Sequence, residues 1–147
     1  MRWSVEIPGQ PPSVNKMYRA GTGTIVRAGR EVTVPTISKR ADVAKYQMDA
    51  MLLIRSAKPS RWKPEGQIRI EYAFYLHRDA DGDNLLKALN DAIEAAIGVN
   101  DRWFLPCVTS KETGIPIRDA RVVLTLDDLV SASSDLASSL QARPSGP

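Results

Sequence analysis

The sequence predicts a single compact α/β (α+β) domain, in which a mixed β-sheet carries two main helices packed on one face. A length of 147 residues suits one domain with a core of its own. Residues 67–76 alternate apolar and polar side chains, which is the pattern of a half-buried strand. Residues 84–97 repeat apolar side chains at helical spacing. A strand followed by a helix and further strand patterns favours a layered α/β arrangement.

Further strands are predicted on both sides of this pair. Residues 3–7 alternate and end at a Pro-Gly pair, while residues 24–26 and 31–37 flank a short basic turn and predict a hairpin. Residues 120–126 predict the final strand. Pro106 removes a backbone donor from the segment before it, so we expect an edge strand or a bulge there.

Two helices are predicted, over residues 38–57 and 84–97. Ser38 is a suitable N-cap for the first helix, and Gly98 is a suitable terminator for the second. The apolar stripe expected on the first helix consists of Val43, Tyr46, Ala50, Leu53, Ile54 and Ala57. The packing face expected on the second consists of Leu85, Leu86, Leu89, Ala92, Ile93, Ala96 and Ile97.

Composition bounds the chemistry that the chain can perform. Cys107 and His77 are the only cysteine and the only histidine, so an intrachain disulfide and zinc sites rich in Cys or His are excluded. The amino terminus has no secretory pattern, and no stretch approaches the roughly 20 apolar residues of a membrane helix. We therefore expect a cytoplasmic protein without membrane contact. Residues 1–128 are expected to form the domain, and residues 129–147 to form a flexible tail.

Charge is unevenly distributed along the chain. Residues 1–65 hold 12 Lys/Arg against 5 Asp/Glu, whereas residues 66–147 hold 8 against 12. A basic half beside an acidic cluster suits a metal-dependent nuclease, although many solvated proteins are equally lopsided. The candidate DNA contacts in the basic half are Lys16, Arg19, Arg27, Arg30, Lys39 and Arg40.

The acidic cluster lies where the strong strand gives way to the second helix. Asp81 and Asp83 stand two apart, so an extended backbone would point both carboxylates to one side. Such hard oxygen ligands suit Mg2+ or Mn2+. Lys87 follows one helical turn later and could stabilise charge on a phosphate, with Asp91 positioning it. An ordinary N-cap, or an i, i+4 pair between Asp83 and Lys87, explains the same residues equally well.

A calcium-binding loop is the sharper alternative, because Asp79, Asp81 and Asp83 match its first three ligands. The sixth position would be Asn84 instead of Gly, and the twelfth would be Asn90 instead of Glu. The pattern therefore excludes an EF-hand.

The segment Asp81-Gly82-Asp83-Asn84-Leu85-Leu86-Lys87, followed by Asp91 and Asp101, resembles the D-x-D-N-x-x-K…D…D(D) signature of RusA-type Holliday junction resolvases. Pro11-Pro12-Ser13-x-Asn15 is also similar to phage and prophage members. The resemblance implies a homodimeric, Mg2+-dependent endonuclease that cuts four-way DNA junctions by paired nicks in recombination and repair, in the cytoplasm of a bacterial host if a phage encodes it.

The same resemblance implies site residues. Asp81, Asp83 and Asp101 would be the metal-binding catalytic acids, and Lys87 the essential lysine. Many members carry two adjacent acids where this chain has Asn100-Asp101, which puts the geometry of the third ligand in question. A nuclease for flaps, forks or other branched DNA, and a non-catalytic DNA-binding phage accessory protein, stay open as alternatives.

Overall fold

The computed structural model describes residues 1–129, and the predicted flexible tail lies outside the described residues beyond residue 129. The strands are β1 (Arg2–Pro8), β2 (Tyr18–Arg27), β3 (Arg30–Lys39), β4 (Ile68–Tyr75), β5 (Phe104–Glu112) and β6 (Arg121–Asp128). The helices are α1 (Ala41–Ala57) and α2 (Gly82–Ile97), with three short 3-10 turns in addition. The predicted fold class, a mixed sheet with two main helices in one compact α+β domain, is confirmed.

The main sheet has four strands in the order β1-β6-β4-β5. β6 pairs antiparallel with β1 and with β4, whereas β5 pairs parallel with β4. α2 makes the crossover between the two parallel strands, as parallel pairing requires. β5 is an edge strand, as Pro106 predicted.

The core lies between the sheet and the helices. Alternate residues of β4 are buried, and the α2 face that packs on them was predicted from the sequence. Trp3 and Trp62 close one end of the core with an edge-to-face contact, their ring centroids 5.3 Å apart. The largest buried side chains of β4 and α2 are Ile68, Ile70, Tyr72, Phe74, Leu85, Leu89 and Ile93.

β2 and β3 form a separate two-stranded sheet, here called the ribbon (residues 18–39). Both strands are longer than the predicted hairpin, so Tyr18 and Arg19 belong to β2 instead of the loop before it. The same pairing overturns the predicted N-cap, because Ser38 pairs with Arg19 inside β3. α1 begins at Ala41, and Arg40 occupies its N-cap position without a side-chain capping hydrogen bond.

The apolar stripe predicted for α1 is correct in its centre and wrong at its end. Val43, Ala50 and Ile54 are buried, whereas Leu53 is 39% exposed and Ala57 is exposed. Gln47 is buried instead, because its amide donates to the backbone oxygen of Ala88 in α2 over 3.2 Å. α1 therefore packs on α2 through a polar contact as well as an apolar one.

Candidate active site

The acidic segment that follows β4 ends at the first turn of α2. Asp81 occupies the N-cap position in an extended conformation, and its side chain makes no capping hydrogen bond to α2. Asp83 lies in the first turn. The positive end of the helix dipole stabilises both carboxylates there. Asp81 thus has the position of an N-cap without the hydrogen bond that a capping residue makes, which leaves its carboxylate for another partner.

The start of α2 lies directly against β5. A Cβ atom on Gly82 would come within 3.3 Å of Val108 Cγ2. Glycine therefore lets the helix start approach the sheet more closely than a larger residue would. An open cleft at this point is lined by Asp81–Asn84 together with Val108 and Lys111. The two carboxylates face solvent at the mouth of this cleft instead of the core.

Lys111 of β5 holds the first acid of the segment. Its ammonium lies 2.9 Å from Asp79 Oδ1 and 3.3 Å from the backbone oxygen of Ala80. The hydrogen bond and charge of Lys111 lower the pKa of the Asp79 carboxyl. Asp79 is therefore neutralised by its own ion pair, which separates its environment from that of Asp81 and Asp83.

Lys87 is held by an acid on the same helix. Its ammonium donates to Asp91 Oδ1 over 2.9 Å, and the side chain is 49% exposed. The hydrogen bond and charge of Asp91 raise the pKa of Lys87, and the charges of Asp101 and Tyr18 raise it further. The ion pair observed in the described residues is thus Lys87 with Asp91, not the Asp83 pair that helical spacing alone allowed.

A polar network runs from the ribbon to this ion pair through buried Gln47. Lys39 Nζ donates to Gln47 Oε1 over 2.6 Å, and Gln47 Nε2 lies 3.5 Å from Asp91 Oδ2. Gln47 thereby contacts one carboxylate oxygen of Asp91, while Lys87 donates to the other. Nothing in the local sequence signals this role, because the partners are 8 and 44 residues away.

Asp101 lies beyond the other end of α2. It opens a 3-10 turn before β5, and Phe104 of β5 pairs with Ile68 at the beginning of β4. Asp81, by contrast, follows the end of β4. Within residues 1–129, no three His, Cys, Asp or Glu side chains are gathered so that they could hold one metal ion. The structure brings Asp81 and Asp83 to one helix start, and the charge of Asp101 contributes to raising the pKa of Lys87.

Asn100 has a structural role at the position where many RusA-type resolvases carry a second acid. Its side-chain oxygen accepts a hydrogen bond from the backbone N–H of Arg102 over 3.0 Å. Asn100 is therefore the N-cap of the turn that carries Asp101. An asparagine here orders that turn without adding negative charge.

The donor chemistry of the helix start suits a hard divalent cation. Mg2+ is usually bound by one or two carboxylates and keeps several waters for its remaining positions. Asp81 and Asp83 provide two carboxylates of this kind at a solvent-facing cleft. The pair fits Mg2+ even though the described residues do not form a three-acid cage.

A second cleft lies beside the acidic segment. Its lining includes three cations, Lys16, Arg40 and Arg78, against two acids, Asp42 and Asp79, and we call it the basic cleft. Arg40 also lies 3.3 Å from Asp42 in a surface ion pair. Arg78 was not among the candidates from sequence, although its place directly between a strong strand and the acids was a usable signal.

Gln10 fastens the segment that carries Arg78. Its Oε1 accepts from the backbone N–H groups of His77 and Arg78, each over 2.9 Å. Its Nε2 donates to the backbone oxygen of Arg78 over 3.1 Å. The proline-containing loop after β1 is thus tied to the segment leading into Asp81. No local sequence pattern indicates this link, because Gln10 is 67 positions from His77 and 68 positions from Arg78.

The remaining candidate cations lie on the ribbon. Arg19, Arg27 and Arg30 are exposed, whereas Lys39 is engaged by Gln47.

Neither helix of residues 1–129 combines the length and the apolar character that a membrane-spanning helix needs.

Comparison with known proteins identifies one family. A family model described as endodeoxyribonuclease RusA matches residues 8–125, which is most of the chain. A search of curated proteins found no match.

Proposed function

The chain belongs to the RusA family of endodeoxyribonucleases, and from that premise we propose a Mg2+-dependent enzyme that resolves four-way DNA junctions by paired nicks. The family acts on branched DNA junctions. The observation that carries the proposal is the pair of carboxylates at the start of α2, where Asp81 stands at an N-cap position without capping the helix. The proposed biological setting is DNA recombination and repair in the cytoplasm of a bacterial cell, with a phage or prophage as the source of the gene.

Asp81 and Asp83 are the proposed principal metal ligands. Bound Mg2+, or Mn2+ in its place, supplies an activated water and offsets the negative charge of the scissile phosphate. Asp101 is the proposed third acid, by resemblance to the family signature. Its position past the far end of α2 makes it the ligand that most needs a direct test.

Lys87 is the proposed catalytic cation. Lys87 is charged at neutral pH, as lysines ordinarily are, and it can donate to a phosphate oxygen as negative charge develops there. The hydrogen bond and charge of Asp91 raise the pKa of Lys87. Asp91 acts as a positioning residue, since it holds the Lys87 ammonium over 2.9 Å. Gln47 contacts the other carboxylate oxygen of Asp91 over 3.5 Å.

The proposed DNA contacts are the cations of the basic cleft and of the ribbon. Arg78 joins the candidates from sequence because it lies three residues before Asp81 and lines the basic cleft. A four-way junction has two-fold symmetry, so a homodimer would place two equivalent sites against opposed strands. We therefore propose that the nuclease works as a homodimer.

A comparison of labelled DNA substrates tests the proposal. Four-way junctions, flaps, forks and linear duplexes of matched sequence are incubated with the protein and Mg2+, with EDTA as the control. The proposal predicts symmetric nicks in the junction, weaker or no cleavage of linear duplex, and none in EDTA. If flaps or forks are cut in preference to the four-way junction, the proposed substrate becomes that branched DNA instead.

Binding without nicking would favour the alternative of a non-catalytic DNA-binding accessory protein. The observation on its side is that three acids are not gathered in the described residues, together with Asn100 in place of an acid. Varying the metal between Mg2+ and Mn2+ in the same assay separates a weakly loaded site from an inactive one. Failure with both ions would refute the nuclease proposal.

A further inference from the structure

The ribbon extends from the domain as a nearly isolated pair of strands. β2 and β3 pair over ten residues each, and a two-residue turn at Ala28 and Gly29 joins them. Both turn residues have positive φ angles, 51° and 76°, as a type I′ hairpin turn requires. At about 3.4 Å per residue the ribbon is about 30 Å long. A two-stranded hairpin alone is only marginally stable in water, so a binding partner would add to its stability.

The strand register sorts the ribbon side chains onto two faces. Directly paired residues share a face, and the face changes at every step along a strand. One face, here called the arginine face, consists of Arg19, Gly21, Gly23, Ile25 and Arg27 of β2 with Arg30, Val32, Val34, Thr36 and Ser38 of β3. This face carries three arginines and no acid. Glu31 and Lys39 both lie on the opposite face, where Lys39 is engaged by Gln47.

The tip of the arginine face concentrates positive charge. Arg27 and Arg30 are paired directly across the strands, and like charges in that position repel each other. Among the ion pairs of residues 1–129, none involves Arg19, Arg27 or Arg30. An anion held between the two tip arginines would remove the repulsion.

The middle of the same face carries no charge. Gly21 and Gly23 present no side chains, and the Thr36 side chain extends over them, with its Cγ2 atom 2.8 Å from where a Cβ on Gly23 would lie. Ile25 and Val34 are partly buried beside them. The ribbon as a whole holds four Lys/Arg against one acid. This combination of separated arginines, uncharged residues between them and no acid is complementary to a polyanion with spaced phosphates.

We propose that the ribbon is a DNA-binding arm whose arginine face lies along the phosphate backbone of one arm of the branched substrate. A two-stranded ribbon fits the major groove of B-DNA, and about 30 Å corresponds to nearly one helical turn. This inference rests on the proposed function, because it takes branched DNA as the ligand. The base of the ribbon is also close to the proposed catalytic lysine, since the network through Lys39 and Gln47 ends at Asp91.

A matched pair of triple variants tests the inference. The ribbon variant is Arg19→Gln, Arg27→Gln and Arg30→Gln, and the control is Lys58→Gln, Arg61→Gln and Lys63→Gln in the segment after α1. Each variant removes three positive charges, so the net charge of the chain changes equally. Binding of a labelled four-way junction is measured in EDTA between 50 and 200 mM salt, so that cleavage plays no part. Far-UV circular dichroism and urea unfolding check that both variants fold.

The ribbon variant is expected to bind about tenfold or more weakly than the unmodified chain, and to reduce the slope of log K against log salt by about 2.7, which is 0.9 for each of three phosphate contacts. The control is expected to change the slope by less than about one. Hydrogen exchange should show that the junction protects backbone amides in residues 18–39. Equal effects of the two variants, or no effect of the ribbon variant, would overturn the inference.

A second copy of the chain is the other occupant that the arginine face could accept. If the ribbon variant turned a dimer into a monomer in sedimentation while the monomer kept its DNA affinity, the DNA-arm inference would be wrong. The outcome is separable from the proposed function. If junction binding depends on the three arginines but the junction is not nicked, the DNA-arm inference stands and the nuclease proposal is refuted. If nicking is unaffected by loss of the three arginines, the nuclease proposal stands and the DNA-arm inference is refuted.

Discussion

Replacing Gln10 by alanine should loosen the segment that leads into the acidic pair. The side chain makes three hydrogen bonds with the backbone of residues 77 and 78, at 2.9, 2.9 and 3.1 Å. These bonds are exposed to solvent, so each is worth about 0.5 kcal/mol, the low end of the usual net range. Gln10→Ala should therefore lower the free energy of unfolding by about 1.5 kcal/mol. With a urea m-value of about 1.5 kcal/mol/M, the unfolding midpoint should fall by about 1 M.

Two comparisons make this prediction specific. Gln10→Glu keeps an oxygen that accepts from His77 and Arg78 but loses the donor to the Arg78 oxygen, so its midpoint should lie between those of the other two proteins. Gln67→Ala, at an exposed glutamine, should leave the midpoint within about 0.3 M. Junction nicking by Gln10→Ala should also fall by about 10- to 100-fold, because small displacements of positioned groups are costly in catalysis. An unchanged urea midpoint together with full nicking would refute the role assigned to Gln10.

Further predictions concern packing and charge. Leu89→Ala removes a fully buried α2 side chain and should lower the free energy of unfolding in urea by about 2–5 kcal/mol. Leu52→Ala, at a residue that is 50% exposed, should change it by about 0.5 kcal/mol or less. Similar values for the two variants would mean that the helix faces are misassigned. Asp91→Asn removes the largest cause of the raised Lys87 pKa, so NMR titration of the Lys87 side chain should show a lower pKa, and an unchanged value would contradict the ion pair. Because the pKa of Lys87 is higher in the folded chain than the value of about 10.4 expected in the unfolded chain, the ion pair stabilises the folded chain fully below about pH 10.4. This stabilisation is lost as the pH rises through the folded pKa. The stability difference between the unmodified chain and Asp91→Asn should therefore shrink above about pH 10.4.

Local sequence predicted the elements whose residues alternate or repeat strongly. The burial of β4 follows its pattern residue by residue, because one face of the strand packs on the core. The α2 prediction is correct for five of its seven residues, whereas Leu86 and Ile97 are only partly buried and Ala88, outside the predicted face, is fully buried. The prediction that Ser38 caps α1 was wrong, because serine can also occupy a strand position. The pairing of Ser38 with Arg19, a contact outside its local sequence, places it in β3. The burial of Gln47 was not predicted either, because its hydrogen-bond partner is a carbonyl of α2 and not a neighbour in sequence.

In the candidate site too, the features set by residues close in sequence were predictable, whereas the long-range contacts were not. Asp81, Asp83 and Lys87 lie within seven consecutive residues, so their spacing on a helix start was predictable from the sequence. The contacts of Gln10 and Lys111 join positions more than 30 residues apart, and only the folded chain brings them together. Asp101 follows the last residue of α2 by four positions, so its place beyond that end of the helix was predictable. The sequence pattern could not establish that β5 pairs parallel with β4, which puts the beginning of β5 beside the beginning of β4 and away from Asp81.

The metal-binding role of the α2 carboxylates can be tested by measuring Mg2+-dependent nicking of a labelled four-way junction by Asp83→Asn, with Asp79→Asn as the matched control. Both substitutions remove one carboxylate charge from the same segment, but Asp79 is already neutralised by Lys111. We expect that Asp83→Asn abolishes nicking while junction binding in EDTA is largely retained, and that Asp79→Asn still nicks. Nicking by Asp83→Asn at the rate of the unmodified protein would contradict the assignment of the α2 carboxylates as the metal-binding acids.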